Sequence, residues 1–324
     1  MKIAIIGSGI SACLASWALR RHEVTMISPS GEIGGCWAAG PIRIAKPTQA
    51  LVDALEWSGS DYSIRQVTVG IATIDDGRGV GVDAEDYVPH GDESHAYLRK
   101  QFEAMPPWTA KRLEMPDPIA AFSQAQGSEL SSIDICDPLA FMRAIADDCR
   151  VIAGTVAHAR AGWVATESGE HVDADLIVTC APTEALRPAT RKTLPRSSHG
   201  LTSLWWIGTD ALPPLMMAYD VVHVATSRAR RVFRVSNVAG GYWIEASGIA
   251  TRQEVVEDCS YLFGFDCTGM LDLRGLIRGA PCGTPPEMHG RGFRFLGPLA
   301  RCDSNECAGV TAVRAMALAE EIDR

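Results

Sequence analysis

The stretch from Met1 to Ile27 leaves few ways to fold. Ile3, Ala4, Ile5 and Ile6 form a short apolar run, the pattern of a parallel strand buried on both faces. Gly7-Ser8-Gly9-Ile10-Ser11-Ala12 follows, a G-x-G-x-x-A turn, and then a helical pattern through Arg21. A second strand is expected over Val24 to Ile27. In this order each small residue has a physical role: Gly7 permits the tight bend out of the strand, Gly9 admits a pyrophosphate close to the backbone, and Ala12 lets helix and strand pack. The pyrophosphate would then face the N–H groups of Ile10, Ser11 and Ala12, at the positive end of the helix dipole. The motif in this context reads as a dinucleotide site.

A second glycine pair, Gly34-Gly35, lies shortly beyond the second strand. Together with the first turn it resembles the flavin-binding amine oxidase, protoporphyrinogen oxidase and UDP-galactopyranose mutase group. The resemblance implies FAD, with Gly34, Gly35, Cys36 and Trp37 close to its pyrophosphate and ribityl chain. The strand ends in Ser28, where the group carries an acidic residue for the adenosine ribose. Ser28 can hydrogen-bond one ribose hydroxyl, or Glu32 can reach back. Two further stretches extend the resemblance. Asp175 to Pro182 resembles the strand by which the group re-enters its parallel sheet, which implies adenine contacts around Gly154 to Val156 and a cofactor contact at Ala181. Gly292 to Asp303, before an Ala-rich helix from about Glu306 to Ile322, resembles the C-terminal flavin unit, with Pro298 in place of the usual Arg. Gly297, Asp303 and Asn305 are the implied flavin-side contacts.

The implied fold class is α/β: a Rossmann-type FAD-binding domain with a parallel sheet, assembled from residues 1–57, 148–190 and 290–324. An α+β substrate domain containing an antiparallel sheet is inserted as residues 58–147 and 191–289. No second G-x-G-x-x-G opens a helix, so no dedicated NAD(P)H domain is expected. The group's covalent-flavin Cys motif is not recognisable either, so the FAD is expected to be non-covalent.

Composition narrows the function classes. The formal net charge of −9 argues against broad binding to nucleic acid or anionic membranes. No apolar run approaches the roughly 20 residues of a bilayer span, and the N-terminus enters a strand directly, so a cytosolic protein without a membrane or secretory segment is expected. The ten cysteines include no C-x-x-C pair and the eight histidines show no metal-like spacing, so neither a disulfide framework nor a metal site is expected.

Between the motifs, Ala38 to Lys46 reads as loop, with Arg43 and Lys46 placed either to meet a phosphate or as solvated cations. Pro47 can open a helix bearing Ala50, Leu51, Ala54 and Leu55 on one face. Gln66 to Ile74 reads as a strand, His95 to Met105 as a helix, and Asp137-Pro138 as a helix start. Strands are expected over His158 to Ala165 and His171 to Thr179. Residues 201–250 read as an antiparallel meander with strands at Met216 to Thr226, Arg231 to Ser236 and Gly241 to Ala246. Thr251 to Phe263 reads as a helix and Asp266 to Gly290 as irregular.

Catalytic nominations fall on the meander: Arg234 for an anionic group of the substrate, Glu245 as a base, and Tyr242 with Trp243 as cavity walls, with Trp205 and Trp206 adding aromatic surface. Plain sheet packing is the alternative for each. Arg228, Arg230 and Arg231 at a hairpin tip are either a solvated turn or a phosphate contact. The function implied is an FAD-dependent oxidoreductase taking hydride from a C–N or C–C bond of a small molecule. The alternatives are a non-redox flavin-dependent mutase or isomerase using reduced N5, including one acting on a nucleotide or a modified thymine in phage DNA, and a non-enzymatic dinucleotide-binding protein. Nucleic acid is a partner only in the first of these alternatives.

Overall fold

The computed structural model describes residues 1–35, 40–45, 47–73, 81–83, 130–180, 201–213, 216, 219–224, 229–278, 292–296 and 307–324. The chain divides into two compact units: residues 1–63, 133–197 and 280–324 form one, residues 64–132 and 198–279 the other.

The first unit is built on a five-stranded, wholly parallel sheet. Its strands are β1 (Lys2–Ile6), β2 (Glu23–Ser28), β8 (Arg150–Ala153), β12 (Leu176–Thr179) and β18 (Phe293–Phe295), in the order β18-β12-β1-β2-β8. The unbroken apolar run of β1 has a direct cause. Ile3 and Ile5 belong to the core shared with helices α1 (Ile10–Ala18), α2 (Gln49–Ser58), α3 (Pro138–Ile145) and α5 (Cys307–Ile322). Ala4 and Ile6 belong to a second core on the other face, shared with the antiparallel sheet of β9 (Val156–Arg160), β10 (Gly162–Thr166) and β11 (His171–Ala174). A strand covered on both faces has no place for a polar alternation. Asp175 fixes β12 beside β1: its N–H donates to the Lys2 carbonyl and its carboxylate accepts the Lys2 N–H, both at 2.8 Å. Burial pushes the Cys13 thiol up to about 12, and raises that of Cys180 further, so these cysteines behave as small hydrophobes.

Local chemistry starts and stops the helices. The side chain of Thr48 caps α2 and accepts from the Leu51 N–H, so the helix begins just after Pro47 and Thr48. Asp137 caps α3 in the same way at Ala140, with Pro138 in the first turn, and Phe141, Met142 and Ile145 pack into the helix-side core. Several expectations change. The expected strand from His171 to Thr179 is two strands, β11 and β12, in different sheets. The stretch expected as loop contains β3 (Ile42–Ala45), which joins β7 (Leu130–Ile135) and β4 (Tyr62–Val67) in the order β3-β7-β4. The expected strand from His158 to Ala165 is instead two strands, turned at Gly162, whose φ is 101°.

The second unit carries a seven-stranded sheet in the order β17-β13-β16-β15-β14-β5-β6. Its members are β5 (Val69–Thr73), β6 (Gly81–Asp83), β13 (Leu201–Ile207), β14 (Val221–Val224), β15 (Val232–Val238), β16 (Gly241–Ser247) and β17 (Leu271–Arg278). Every pairing is antiparallel except β14 with β5. β17 lies where irregular chain was expected. Its opening, Leu271-Asp272-Leu273-Arg274, alternates as a strand should, but Gly275 and the Gly/Pro-rich sequence beyond obscure the pattern. Helix α4 (Arg252–Phe263) packs Val255, Cys259, Leu262 and Phe263 against Trp205, Ile207, Tyr242 and Ile244 on one face of the sheet. The Asp258 carboxylate on α4 accepts the N–H groups of Arg230, Arg231 and Val232 at 2.9, 2.6 and 2.8 Å. The helix is thereby anchored to the start of β15.

Candidate functional site

At the carboxyl edge of the parallel sheet, backbone groups build a closed cradle. Gly7, with φ 120°, turns the chain out of β1 while its N–H donates to the Ile27 carbonyl at 2.9 Å. Gly9 is the N-cap of α1; no side chain caps that helix, and its first turn carries no acidic residue. The N–H groups opening α1 are thus presented with no acid of the helix's own first turn competing for them. The second glycine pair closes over this turn. The Gly34 N–H donates to the Ser8 carbonyl at 2.9 Å. A methyl group on Gly35 would sit 3.3 Å from the Gly9 Cα, and one on Gly9 would sit 3.7 Å from the Gly34 carbonyl oxygen. Gly35 also holds φ 91°, a left-handed conformation that glycine adopts without strain. A cradle that a single Cβ would begin to fill fits a pyrophosphate lying against bare backbone.

The remaining cofactor-side nominations divide into three groups. Ile10, Ser11 and Ala12 are all buried in the first turn of α1, and the Ala12 N–H donates to the Gly9 carbonyl at 2.9 Å. Val156 opens β9 and is buried, and just before it the Gly154 N–H donates to the Ser28 carbonyl at 2.8 Å, which brings this segment to the end of β2. Arg43 stands apart. It lies within β3, is 6% exposed, and is engaged by Asp134 of β7 through two parallel bonds, Nε to Oδ1 at 2.6 Å and Nη2 to Oδ2 at 2.7 Å. This is the fork-to-fork geometry in which Arg and carboxylate pair most strongly. Its Nη1 is buried with no hydrogen-bond partner among the described residues. Asp134 escaped the sequence reading; its only signal is a lone acid in the run Ser132-Ile133-Asp134-Ile135. Cys36, Trp37, Ala181, Gly297, Asp303 and Asn305 lie outside the described residues, as do Lys46, Arg228 and the helix expected over His95 to Met105.

On the seven-stranded sheet, strand alternation sorts the catalytic nominations. Arg234 on β15 and Glu245 on β16 are register partners, joined by an ion pair of 3.3 Å from Nη1 to Oε1 and largely withdrawn from water. Trp206 and Trp243, also register partners, meet edge to face with ring centroids 5.0 Å apart. Trp243 and Glu245 point away from the face that packs on α4. Tyr242 and Trp205 point toward it. Tyr242 meets Phe263 edge to face at 5.5 Å, and its hydroxyl donates to the Ala211 carbonyl at 3.1 Å. Burial raises the Tyr242 pKa above its ordinary value, so the phenol stays protonated at neutral pH. The structure therefore brings Arg234 together with Glu245, and places Tyr242 across the sheet from both. In the arginine cluster, Arg231 is held by Glu254, with Nε and Nη2 at 3.1 and 3.0 Å from Oε1, while Arg230 is exposed.

Among the described residues, no group of three or more His, Cys, Asp or Glu side chains is placed to hold a metal, and no helix is long and apolar enough to cross a membrane.

No family model matches the sequence. No curated protein matches it either. Solved structures do match over nearly the whole chain. A putrescine oxidase double mutant from a redesign of its cofactor binding superposes with TM-score 0.66 at 13% identity, over 100% of this chain and 99% of the other. Reduced UDP-galactopyranose mutase superposes with TM-score 0.67 at 13% identity, over 99% and 96%. An oxidoreductase from Methanosarcina mazei gives 0.60 at 13%, over 99% and 100%. The chain has the fold of these proteins, and the resemblance read from its glycine motifs holds at that level.

Proposed function

We propose that the chain is an FAD-dependent oxidoreductase that binds its cofactor non-covalently and acts on a small molecule. The carrying observation is the cradle: Gly34 bonded to Ser8, and Gly35 packed on Gly9, so that both glycine motifs serve one backbone surface. FAD bound there would supply the capacity to accept hydride from a carbon of the substrate, whose C–N or C–C bond is thereby oxidised to a double bond. The chain's own residues hold and orient. The N–H groups opening α1 receive the pyrophosphate negative charge, and Gly9 and Gly35 let it approach without a side chain intervening. In this reading Arg234 attracts an anionic group of the substrate. Glu245, held beside that guanidinium, takes up a proton at its carboxylate.

A second reading, a flavin-dependent mutase or isomerase, draws on the likeness to UDP-galactopyranose mutase, which is as extensive as that to putrescine oxidase. Action on nucleic acid has less behind it, because the chain carries a formal net charge of −9.

The visible spectrum of the purified protein is the first test, since a protein without flavin absorbance that does not take up FAD overturns both readings and leaves a dinucleotide-binding protein. Anaerobic titration with amine donors then separates them. Bleaching of the bound flavin supports the oxidoreductase, whereas turnover appearing only after dithionite treatment, without net oxidation, supports the mutase.

A further inference from the structure

Dinucleotide sites of this type place an acidic residue about 20 positions after the glycine turn, where it binds the adenosine ribose hydroxyls. Here the strand-end position is Ser28, and the structure shows that this serine is fully committed within the protein. It is 1% exposed. Its hydroxyl accepts from Ser8 Oγ at 2.9 Å, donates to the Glu32 carbonyl at 3.2 Å, and lies 3.2 Å from Ser30 Oγ. A hydroxyl has one proton to give and two lone pairs to offer. All three are engaged. Its carbonyl also accepts twice, from the Gly31 N–H at 3.1 Å and the Gly154 N–H at 2.8 Å. Ser28 has nothing left for a ligand.

The same bonds pin the turn that follows. Gly31 adopts φ 72° and lies so close to the end of β8 that a methyl group there would stand 2.7 Å from the Ala153 Cβ. Glu32 comes next, with both backbone groups held: its N–H donates to Ser30 Oγ at 3.3 Å and its carbonyl receives Ser28. Its side chain is exposed, and its carboxylate has no partner among the described residues. The result is an unpaired carboxylate on a fixed turn, at the carboxyl end of β2 and joined through Ser28 and Ser8 to the glycine cradle.

We infer that the carboxylate binding the adenosine ribose diol of the dinucleotide is Glu32, moved from the strand end onto the turn, while Ser28 has become part of the scaffold that holds the turn. This inference rests on the flavin reading above. A second acid, Glu167, whose N–H donates to the Thr155 carbonyl at 2.8 Å, serves as the control.

The test measures FAD affinity of the flavin-stripped protein by quenching of flavin fluorescence, for wild type, Glu32→Ala, Ser28→Ala and Glu167→Ala. Competition by ADP and by 2′-deoxy-ADP is measured on the same proteins. Losing hydrogen bonds to a charged acceptor is expected to weaken FAD binding about tenfold or more in Glu32→Ala. Wild type is expected to prefer ADP to 2′-deoxy-ADP, and Glu32→Ala to lose most of that preference. The discrimination ratio separates diol recognition from a general loosening of the turn, which would weaken both competitors equally. Thermal melts of Glu32→Ala should match wild type, because the side chain is exposed. Unchanged FAD affinity and an unchanged ADP preference in Glu32→Ala would overturn the inference while leaving the flavin reading intact, as would a loss of that preference in Glu167→Ala or Ser28→Ala instead. If wild type binds no FAD, the flavin reading itself fails and this inference fails with it.

Discussion

The glycine cradle and the paired charges of the chain are built by opposite means. In the cradle, selectivity comes from what is missing: side chains at Gly9 and Gly35 would fill the space, and the contacts offered are N–H groups. In the pairs Arg43–Asp134 and Arg234–Glu245, two side chains from different strands are withdrawn from water together. A backbone site follows from a short local motif, because the turn, the helix start and the strand are contiguous. A charge pair depends on strand register, across one hairpin for Arg234 and Glu245 and across a long separation for Arg43 and Asp134. Arg43 and Asp134 stand 91 residues apart in sequence. The two kinds of site should also fail differently: a change in the cradle should act on dinucleotide affinity, a break of the buried Arg43–Asp134 pair on stability.

The largest expected effect is at the more buried pair. Asp134→Ala leaves the Arg43 guanidinium buried without its carboxylate, a loss of about 3–5 kcal/mol. Denaturant unfolding followed by fluorescence should show a strongly reduced midpoint. The double replacement Arg43→Met with Asp134→Leu should recover most of it, since a buried pair exchanged for apolar residues of similar size is often near neutral. A single-mutant loss below about 1 kcal/mol, the range of exposed pairs, would mean that water reaches Arg43 in solution.

The second test sets the two faces of the seven-stranded sheet against each other. If Glu245 takes a proton during turnover, Glu245→Gln should lower kcat about 10²-fold or more. Tyr242→Phe removes the bond to the Ala211 carbonyl and should cost about 0.5–1.5 kcal/mol of stability, with kcat unaltered. A large kcat loss in Tyr242→Phe would show that the sheet's α4 face takes part in the chemistry.

These contrasts also measure how far the sequence could be read. The parallel sheet was legible because both-face burial writes itself into β1 as an unbroken apolar run, and the turn after it because only small residues satisfy its geometry. Asp137 with Pro138 marked the start of its helix. The separation of Tyr242 from Glu245 was also present in the sequence: positions three apart on a strand point to opposite faces, and nominating both for one cavity overlooked that parity. β3 was missed because Arg43 reads as a solvated residue until Asp134 is known to cover it. No local pattern supplies that partner. Ser28 shows a third kind of limit. The departure from an acidic residue was visible, but the commitment of its hydroxyl to Ser8, Ser30 and Glu32 arises only when two loops meet.

A smaller effect separates strain from cradle closure. Gly35→Ala and Gly59→Ala both place a side chain at positive φ, 91° and 63°, so each should lose about 1 kcal/mol of stability. Among the described residues Gly59 has nothing within 4 Å of the added methyl, whereas at Gly35 it meets the Gly9 Cα at 3.3 Å. FAD affinity should therefore fall in Gly35→Ala and stay at the wild-type value in Gly59→Ala. Equal affinities in the two variants would remove the cradle as the carrying observation.

The smallest expected effect lies outside both kinds of site and fixes the baseline. Thr251 and Glu254 form a capping box at the start of α4, and Glu254 also receives Arg231. The Thr251 N–H, then its hydroxyl, hold the Glu254 carboxyl below its usual range, with the Arg231 contact adding to this and partial desolvation opposing it. Thr251→Ala should cost about 1 kcal/mol at neutral pH, within the range for a lost N-cap. A carboxyl depressed in the folded state contributes stability that is complete above its unfolded pKa of about 4.3 and is lost as pH falls through the folded value. Thr251→Ala removes part of that depression, so the stability gap between wild type and variant should narrow as pH drops below about 4. FAD affinity should not move, because the box contributes nothing to the cradle. A gap that stays constant down to acid pH would show that the hydroxyl's bond to the helix N–H, and not the carboxylate's environment, accounts for the whole effect.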